Sequence, residues 1–138
     1  MKSENLAGRT RITSGAPWES KVGYRRAVIA GGHVYVAGTV AVDERGAPFA
    51  PGDAGKQAKR CLEIIVAALK EAGARPEDVV RTRMFVTDMS PETQAAVGAA
   101  HRAVFADCPP ASTMVGVSAL ADPDMIVEIE VDAVQQAR

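Results

Sequence analysis

Between Met125 and Val134 the sequence runs MIVEIEVDAV, and three carboxylates, Glu128, Glu130 and Asp132, alternate with Val127, Ile129 and Val131. Side chains two apart in a strand share a face, so this segment reads as a strand with one apolar face and one acidic face. A carboxylate held in a cleft can act as general acid and base, or hold water for attack. The alternation alone does not choose among Glu128, Glu130 and Asp132, and the plainer reading of such a triplet is a solvated or ion-paired strand face. Just upstream, Pro109-Pro110-Ala111-Ser112-Thr113-Met114-Val115-Gly116-Val117-Ser118-Ala119-Leu120 reads as the preceding strand, joined by a short Asp/Pro turn.

Other side chains could serve a site. Arg83 shares a strand face with Arg81 and reads first as an inter-subunit ion-pair partner for one of the carboxylates, second as a ligand anchor. Arg25 and Arg26 rank lower, because surface arginines are common. Tyr24 is a cleft wall or a packed ring with a wet hydroxyl. Ser112 can donate to a ligand oxygen or simply fill space. His101 reads as an inert helix-surface imidazole and Trp18 as a loop staple. Cys61 falls in a helical pattern as a small core residue, and Cys108 lies in a loop with nothing near it to depress its pKa. The two cysteines make no metal-binding spacing with each other or with His33 and His101. No metal and no organic cofactor are expected.

The elements that must position these residues follow from period and punctuation. Arg9 to Ile12 reads as a first strand, and Ser14-Gly15-Ala16-Pro17-Trp18 as a loop. Tyr24 to Ala30 and His33 to Val40 form a hairpin across Gly31-Gly32. Gly46 to Gly52 is a surface connection. Over 54–72, Cys61, Leu62, Ile65, Ala68 and Leu69 recur at helical spacing, with Asp53 as cap and Gly73 as stop. Val79 to Asp88 alternates as a strand, with Val80, Met84 and Val86 opposed to Arg81, Arg83, Phe85 and Thr87. Ser90-Pro91 opens a second helix that ends at Cys108-Pro109-Pro110.

The expected architecture is a single α+β domain over residues 1–138, with residues 1–8 flexible. It has a six-stranded sheet and two helices on one face, in the order β-β-β-α-β-α-β-β. The other face, with Arg, Ser, Gly, Met and carboxylates and still holding Phe85, Met114 and Ile126, invites self-association. Clefts between subunits would be natural small-molecule sites.

Bulk properties exclude some functions. A formal net charge of -1 and only 4% aromatic residues leave no basic stripe, so no nucleic-acid partner is expected. MKSENLAGRT lacks the apolar core of a signal peptide and no apolar run reaches membrane-spanning length, so the expected location is the cytoplasm, away from membranes.

Gly23-Tyr24 before the hairpin, Val36-Ala37-Gly38 within it, Val79 to Asp88 and the VEIEVDAV ending together resemble the Rid (YjgF-type) family of reactive-intermediate deaminases. The resemblance covers residues 24–134. It implies a chorismate-mutase-like fold, a homotrimer and ligand clefts at subunit interfaces. It also implies that Glu128 matches the glutamate holding the attacking water and that Tyr24 matches the cleft tyrosine. Three positions depart from the pattern: Ser112 replaces the arginine that grips a substrate carboxylate, Met114 a frequent cysteine, and Ala37 a common serine. Losing a charge-assisted arginine–carboxylate bond weakens binding by roughly ten- to a hundredfold, so a simple 2-imino acid gripped at position 112 is not the expected ligand.

Three functions follow. The first is a RidA-like hydrolase of imine or enamine intermediates with an atypical substrate range, drawing on Glu128, Tyr24, Ser112, Met114, Ala37 and Arg83. The second is a non-catalytic small-molecule-binding or interaction protein on the same trimeric scaffold. Ribonuclease action, the third, rests on older family labels and is opposed by the missing basic patch.

Overall fold

In the computed structural model, which describes residues 1–137, seven strands and three α-helices form one α+β domain around a mixed sheet. The strands are β1 (Lys2–Leu6), β2 (Arg9–Thr13), β3 (Ala27–Ala30), β4 (His33–Val40), β5 (Val79–Val86), β6 (Ala111–Gly116) and β7 (Val127–Val134). The helices are α1 (Pro17–Val22), α2 (Ala54–Glu71) and α3 (Pro91–Phe105). This corrects the expected count of six strands and two helices. Residues 2–6, expected to be a flexible lead-in, pair in register with β2 as β1. Their sequence, KSENL, carries no alternation because both faces are largely exposed, so neither face needs an apolar side chain.

The segment read as a loop around Trp18 is α1 instead. Pro17 starts it, and Glu19, although charged, is buried. Its carboxylate accepts from the Thr13 hydroxyl at 2.8 Å, from the Ser14 amide at 3.1 Å and from the Ser14 hydroxyl. Those three donors replace lost water and tie the helix to the end of β2. Trp18 is exposed on this helix rather than stapling a loop. The hairpin strand read from Tyr24 begins only at Ala27, which leaves Tyr24 in the connection from α1.

The sheet order is β1-β2-β3-β4-β7-β5-β6, antiparallel throughout except for the β5–β6 pair. That parallel pair requires a crossover, and α3 supplies it. The last strand in sequence, β7, therefore lies between β4 and β5, with neighbours on both edges. Val127, Ile129, Val131 and Ala133 are all buried beneath the helices, as the alternation demands. From α2 come Cys61, Leu62, Ile65, Ala68 and Leu69, each buried. Burying each of the larger aliphatic side chains contributes about 1.5–3 kcal/mol. The Asp53 carboxylate accepts from the Lys56 amide at 2.9 Å, capping α2.

Two bulges change the face assignments. One, between Val79 and Arg81, turns Val80 out to solvent while Val79, Thr82, Met84 and Val86 point inward. Strict alternation had placed Val80 with the inward set. The other falls between Val36 and Thr39 in β4 and brings Ala37 and Gly38 alongside β7.

Gln57 fixes where β7 begins. Buried in α2, its amide donates to the Asp124 carbonyl at 2.7 Å and to the Ala50 carbonyl at 3.3 Å. Its oxygen accepts from the Ile126 amide at 3.0 Å. Gln57→Ala strands these backbone groups, so unfolding by urea should show a loss of about 1–3 kcal/mol. An unchanged midpoint would mean that the loop before β7 is held elsewhere.

Candidate functional site

Glu128 projects from the helix-free face of β7, opposite Val40 of β4 and Phe85 of β5. Its carboxylate lies directly over Gly38. A Cβ built on Gly38 would stand 2.8 Å from Oε2 and 3.0 Å from the carboxyl carbon of Glu128. The β4 bulge and the absence of a side chain at 38 together make room for the acid. Position 38 is thus glycine for a reason of space.

Glu128, Gly38, Tyr24 and Arg26 line one concavity of about 660 Å³, a volume that suits a small organic molecule. Val40, Ile64 and Met125 give it apolar wall, while Arg60 and Asp43 stand at its polar parts. Burial raises the pKa of Glu128 above the ordinary 4.5, and the neighbouring charge of Glu130 raises it further. The positive charge of Arg26 pulls it partly back. A carboxyl so placed keeps its proton to higher pH than a solvated one, as a proton donor to a basic nitrogen needs.

Arg26 is the residue that sequence reasoning undervalued. It is only 9% exposed, its Nη2 donates to the Gly38 carbonyl at 2.8 Å, and its guanidinium carbon lies 5.7 Å from the centre of the Tyr24 ring. Arg25, next to it, faces away and pairs with Glu4. Nothing in the Arg25-Arg26 doublet says which of the two turns inward. The hint was its position between Tyr24 and the strand that carries Gly38.

The remaining candidates lie elsewhere. Ala37 opens onto a neighbouring hollow of about 800 Å³, shared with Arg25, Tyr35, Glu130 and Asp132, and Tyr24 borders both spaces. Arg83 bonds Glu130 at 3.3 Å and Asp132 at 3.1 Å within its own chain, so the ion pair expected between subunits is satisfied inside one.

Ser112 and Met114 are on the opposite face from Glu128. Their strand partners are Thr82 and Met84, both buried on the helix side. The Thr82 hydroxyl donates to Ser112 Oγ at 2.7 Å and lies 2.8 Å from His101 Nε2. Thr113 and Val115, partners of Arg83 and Phe85, occupy the helix-free face instead. Met114 and Ile126, expected on the open face, pack against the core. The error came from giving β6 the parity of an isolated strand, whereas its parallel register with β5 sets which side faces the helices.

His101 is not an inert surface group. It is half-buried on α3, its ring tilted against Phe105 with the centroids 4.7 Å apart, and burial lowers its pKa. An imidazole neutral at pH 7 fits a donor–acceptor chain through Thr82 to Ser112.

The pattern of the Endoribonuclease L-PSP family matches residues 14–135. The chain belongs to the Rid/YjgF family. It is similar to Rv2704 of Mycobacterium tuberculosis, solved as a member of the YjgF/YER057c/UK114 family. The two share 42% identity and a TM-score of 0.82, over 92% of this chain and 99% of that one. An uncharacterised protein of Streptomyces coelicolor is 36% identical over 127 residues, 92% of each chain. A RutC family protein of Pyrococcus abyssi is 32% identical over 113 residues, covering 82% of this chain and 87% of that one.

Neither thiol of this Rid-family chain is poised for attack. Burial, then the charge of Glu128, pushes Cys61 up to about 12, and its Sγ faces the Val127 carbonyl at 3.8 Å. Burial and the charges of Glu77 and Asp107 also raise Cys108. Among the described residues, no group of three His, Cys, Asp or Glu side chains could hold a metal ion. No helix among them is long and apolar enough to cross a membrane.

The contact at Gly38 gives a test of the site alone. Gly38→Ala must push the Glu128 carboxylate aside, and that side chain is flexible enough to move at little cost in stability. Ligand-free crystal structures of the variant should show the carboxylate displaced with the sheet intact. An acid left in place over the added methyl group would refute the packing argument.

Proposed function

We propose that this chain hydrolyses small imine or enamine intermediates, with Glu128 as the group that handles both protons and water. The observation that carries this reading is a single carboxylate of raised pKa in a concavity, seated on the backbone of Gly38. The Rid family resemblance, in which Glu128 matches the water-holding glutamate and Tyr24 the cleft tyrosine, supports it.

The chemistry can be run by one acid. Protonated Glu128 gives its proton to the imine nitrogen, leaving an iminium carbon that water can attack. As the C–O bond forms, the ionised carboxylate takes a proton from that water, and a carbinolamine results. Glu128 then returns the proton to nitrogen. The C–N bond breaks, ammonia leaves with the bonding electron pair, and the hydroxyl proton goes back to Glu128 as the carbonyl forms. Imine and water become ketone and ammonia, with no oxidant, reductant or organic cofactor in the balance.

The same reading makes the chain a homotrimer with a chorismate-mutase-like arrangement, its clefts completed by neighbouring copies. The uncovered sheet face supports this, with Tyr35 and Val115 exposed on it. Within one protomer Ser112 lies across the sheet from Glu128. The two could line one cleft only if a second copy contributes. Two free cysteines suit a reducing compartment, and we place the protein in the cytoplasm.

One observation favours the second reading, a small-molecule binder without turnover. The position where the family pattern carries its arginine is Ser112, and its hydroxyl is engaged by Thr82.

The test is the decay of an imine generated in situ, 2-iminopropionate and a larger aryl-substituted imine in parallel. Wild type should accelerate decay of one of them, and Glu128→Ala should lose about 10²–10⁴ of that acceleration. Decay equal to buffer with wild type on both would favour the binder. Light scattering on the same samples should give three times the 14.5 kDa chain mass; a monomer would contradict the shared-cleft arrangement.

A further inference from the structure

The Glu128 concavity contains a second functional group that water handling leaves unused. Arg26 is nine-tenths buried, yet its Nε is a buried donor with no hydrogen-bond partner, the one such side-chain atom among the described residues. Buried polar groups are nearly always satisfied, and an orphan on a permanently charged guanidinium calls for an explanation. Charge balance sharpens the point. No ion pair among the described residues includes Arg26, and of the described arginines outside ion pairs it alone is buried, Arg9, Arg45, Arg81 and Arg102 being exposed and Arg11 partly so. Its Nη2 is spent on the neutral Gly38 carbonyl. A buried cation outside any ion pair, with only the longer-range pull of Glu128 opposing it, borders a cavity of ligand size.

We propose that Arg26 is the anion anchor of this site, holding the carboxylate of the substrate and so doing from β3's approach what Ser112 cannot do from β6. This deepens the hydrolase reading and rests on it for the reacting group. The position fits the reaction. Arg26 touches the carbonyl of Gly38, while Glu128 covers the α-carbon side of the same residue. An anion on the guanidinium would bring the adjoining C=N carbon toward the acid. Val40, Ile64 and Met125 leave apolar surface for the remainder of the molecule. The substrate class is therefore an imine or enamine that carries a carboxylate and a sizeable apolar group. Arg26 sets specificity.

Binding can be read without turnover. The probes are 3-phenylpropanoate and its neutral amide, titrated by calorimetry into the full-length protein. Wild type should bind the acid about tenfold or more tighter than the amide. Arg26→Gln should erase that preference by weakening the acid alone, while Arg26→Lys keeps part of it. Glu128→Gln should keep or enlarge it, since a negative neighbour is removed. Equal affinity of wild type for the two probes, no binding of the acid, or an acid preference that survives Arg26→Gln would overturn the proposal. The comparison within wild type stands even if a variant does not fold. Acid preference lost in Arg26→Gln together with no imine turnover would sink the hydrolase and leave the anchor. Glu128-dependent turnover without the preference would do the reverse.

Discussion

Everything at the candidate site depends on one close approach, the Glu128 carboxylate lying on the bare backbone of Gly38. A carboxylate leaves water only when something else compensates, and here compensation is incomplete. Burial and the charge of Glu130 work against ionisation, and Arg26 offsets them in part. The bulge in β4 is what permits the contact, because regular alternation would not have set residues 37 and 38 beside β7 in this way. A local defect in one strand thus positions an acid carried by the next.

The charges around it are divided between two jobs. Arg83 binds Glu130 and Asp132 in a half-exposed network, of the kind that contributes at most about 1 kcal/mol per pair. Its effect is to occupy those two carboxylates. Glu128, one step further along β7, is left without an ion-pair partner, and so is Arg26. Two opposite charges on either side of Gly38, each only partly offset by the other, form a polar gap that a zwitterionic molecule could bridge.

Much of this was legible in the sequence, and for definite reasons. The VEIEVDAV alternation separates a buried face from an acidic one because β7 has helices on one side only. The three- and four-residue spacing around Leu62 and Ile65 marks α2 because that helix must bury one stripe. What could not be read was the effect of tertiary register. Val80 left its face because of a bulge, and Ser112 and Met114 were placed on the wrong side because a parallel neighbour, not their own pattern, fixes β6. The polar strand β1 and the short helix α1 carry no periodic signal to detect. Arg26 looked like any surface arginine, since the turn that buries it and sends Arg25 toward Glu4 is set by the connection from α1.

The most direct measurement is the carboxyl titration of Glu128 by carbon-13 NMR, in wild type and in Arg26→Gln. The account requires a midpoint above 4.5 in wild type and a higher one in the variant, because the charge that favours ionisation has been removed. By linkage, wild type should lose stability relative to Glu128→Gln as pH rises from the unfolded value through that midpoint, since the folded state holds the proton longer. A midpoint at or below 4.5, unmoved by Arg26→Gln, would show a solvated carboxylate and contradict the account.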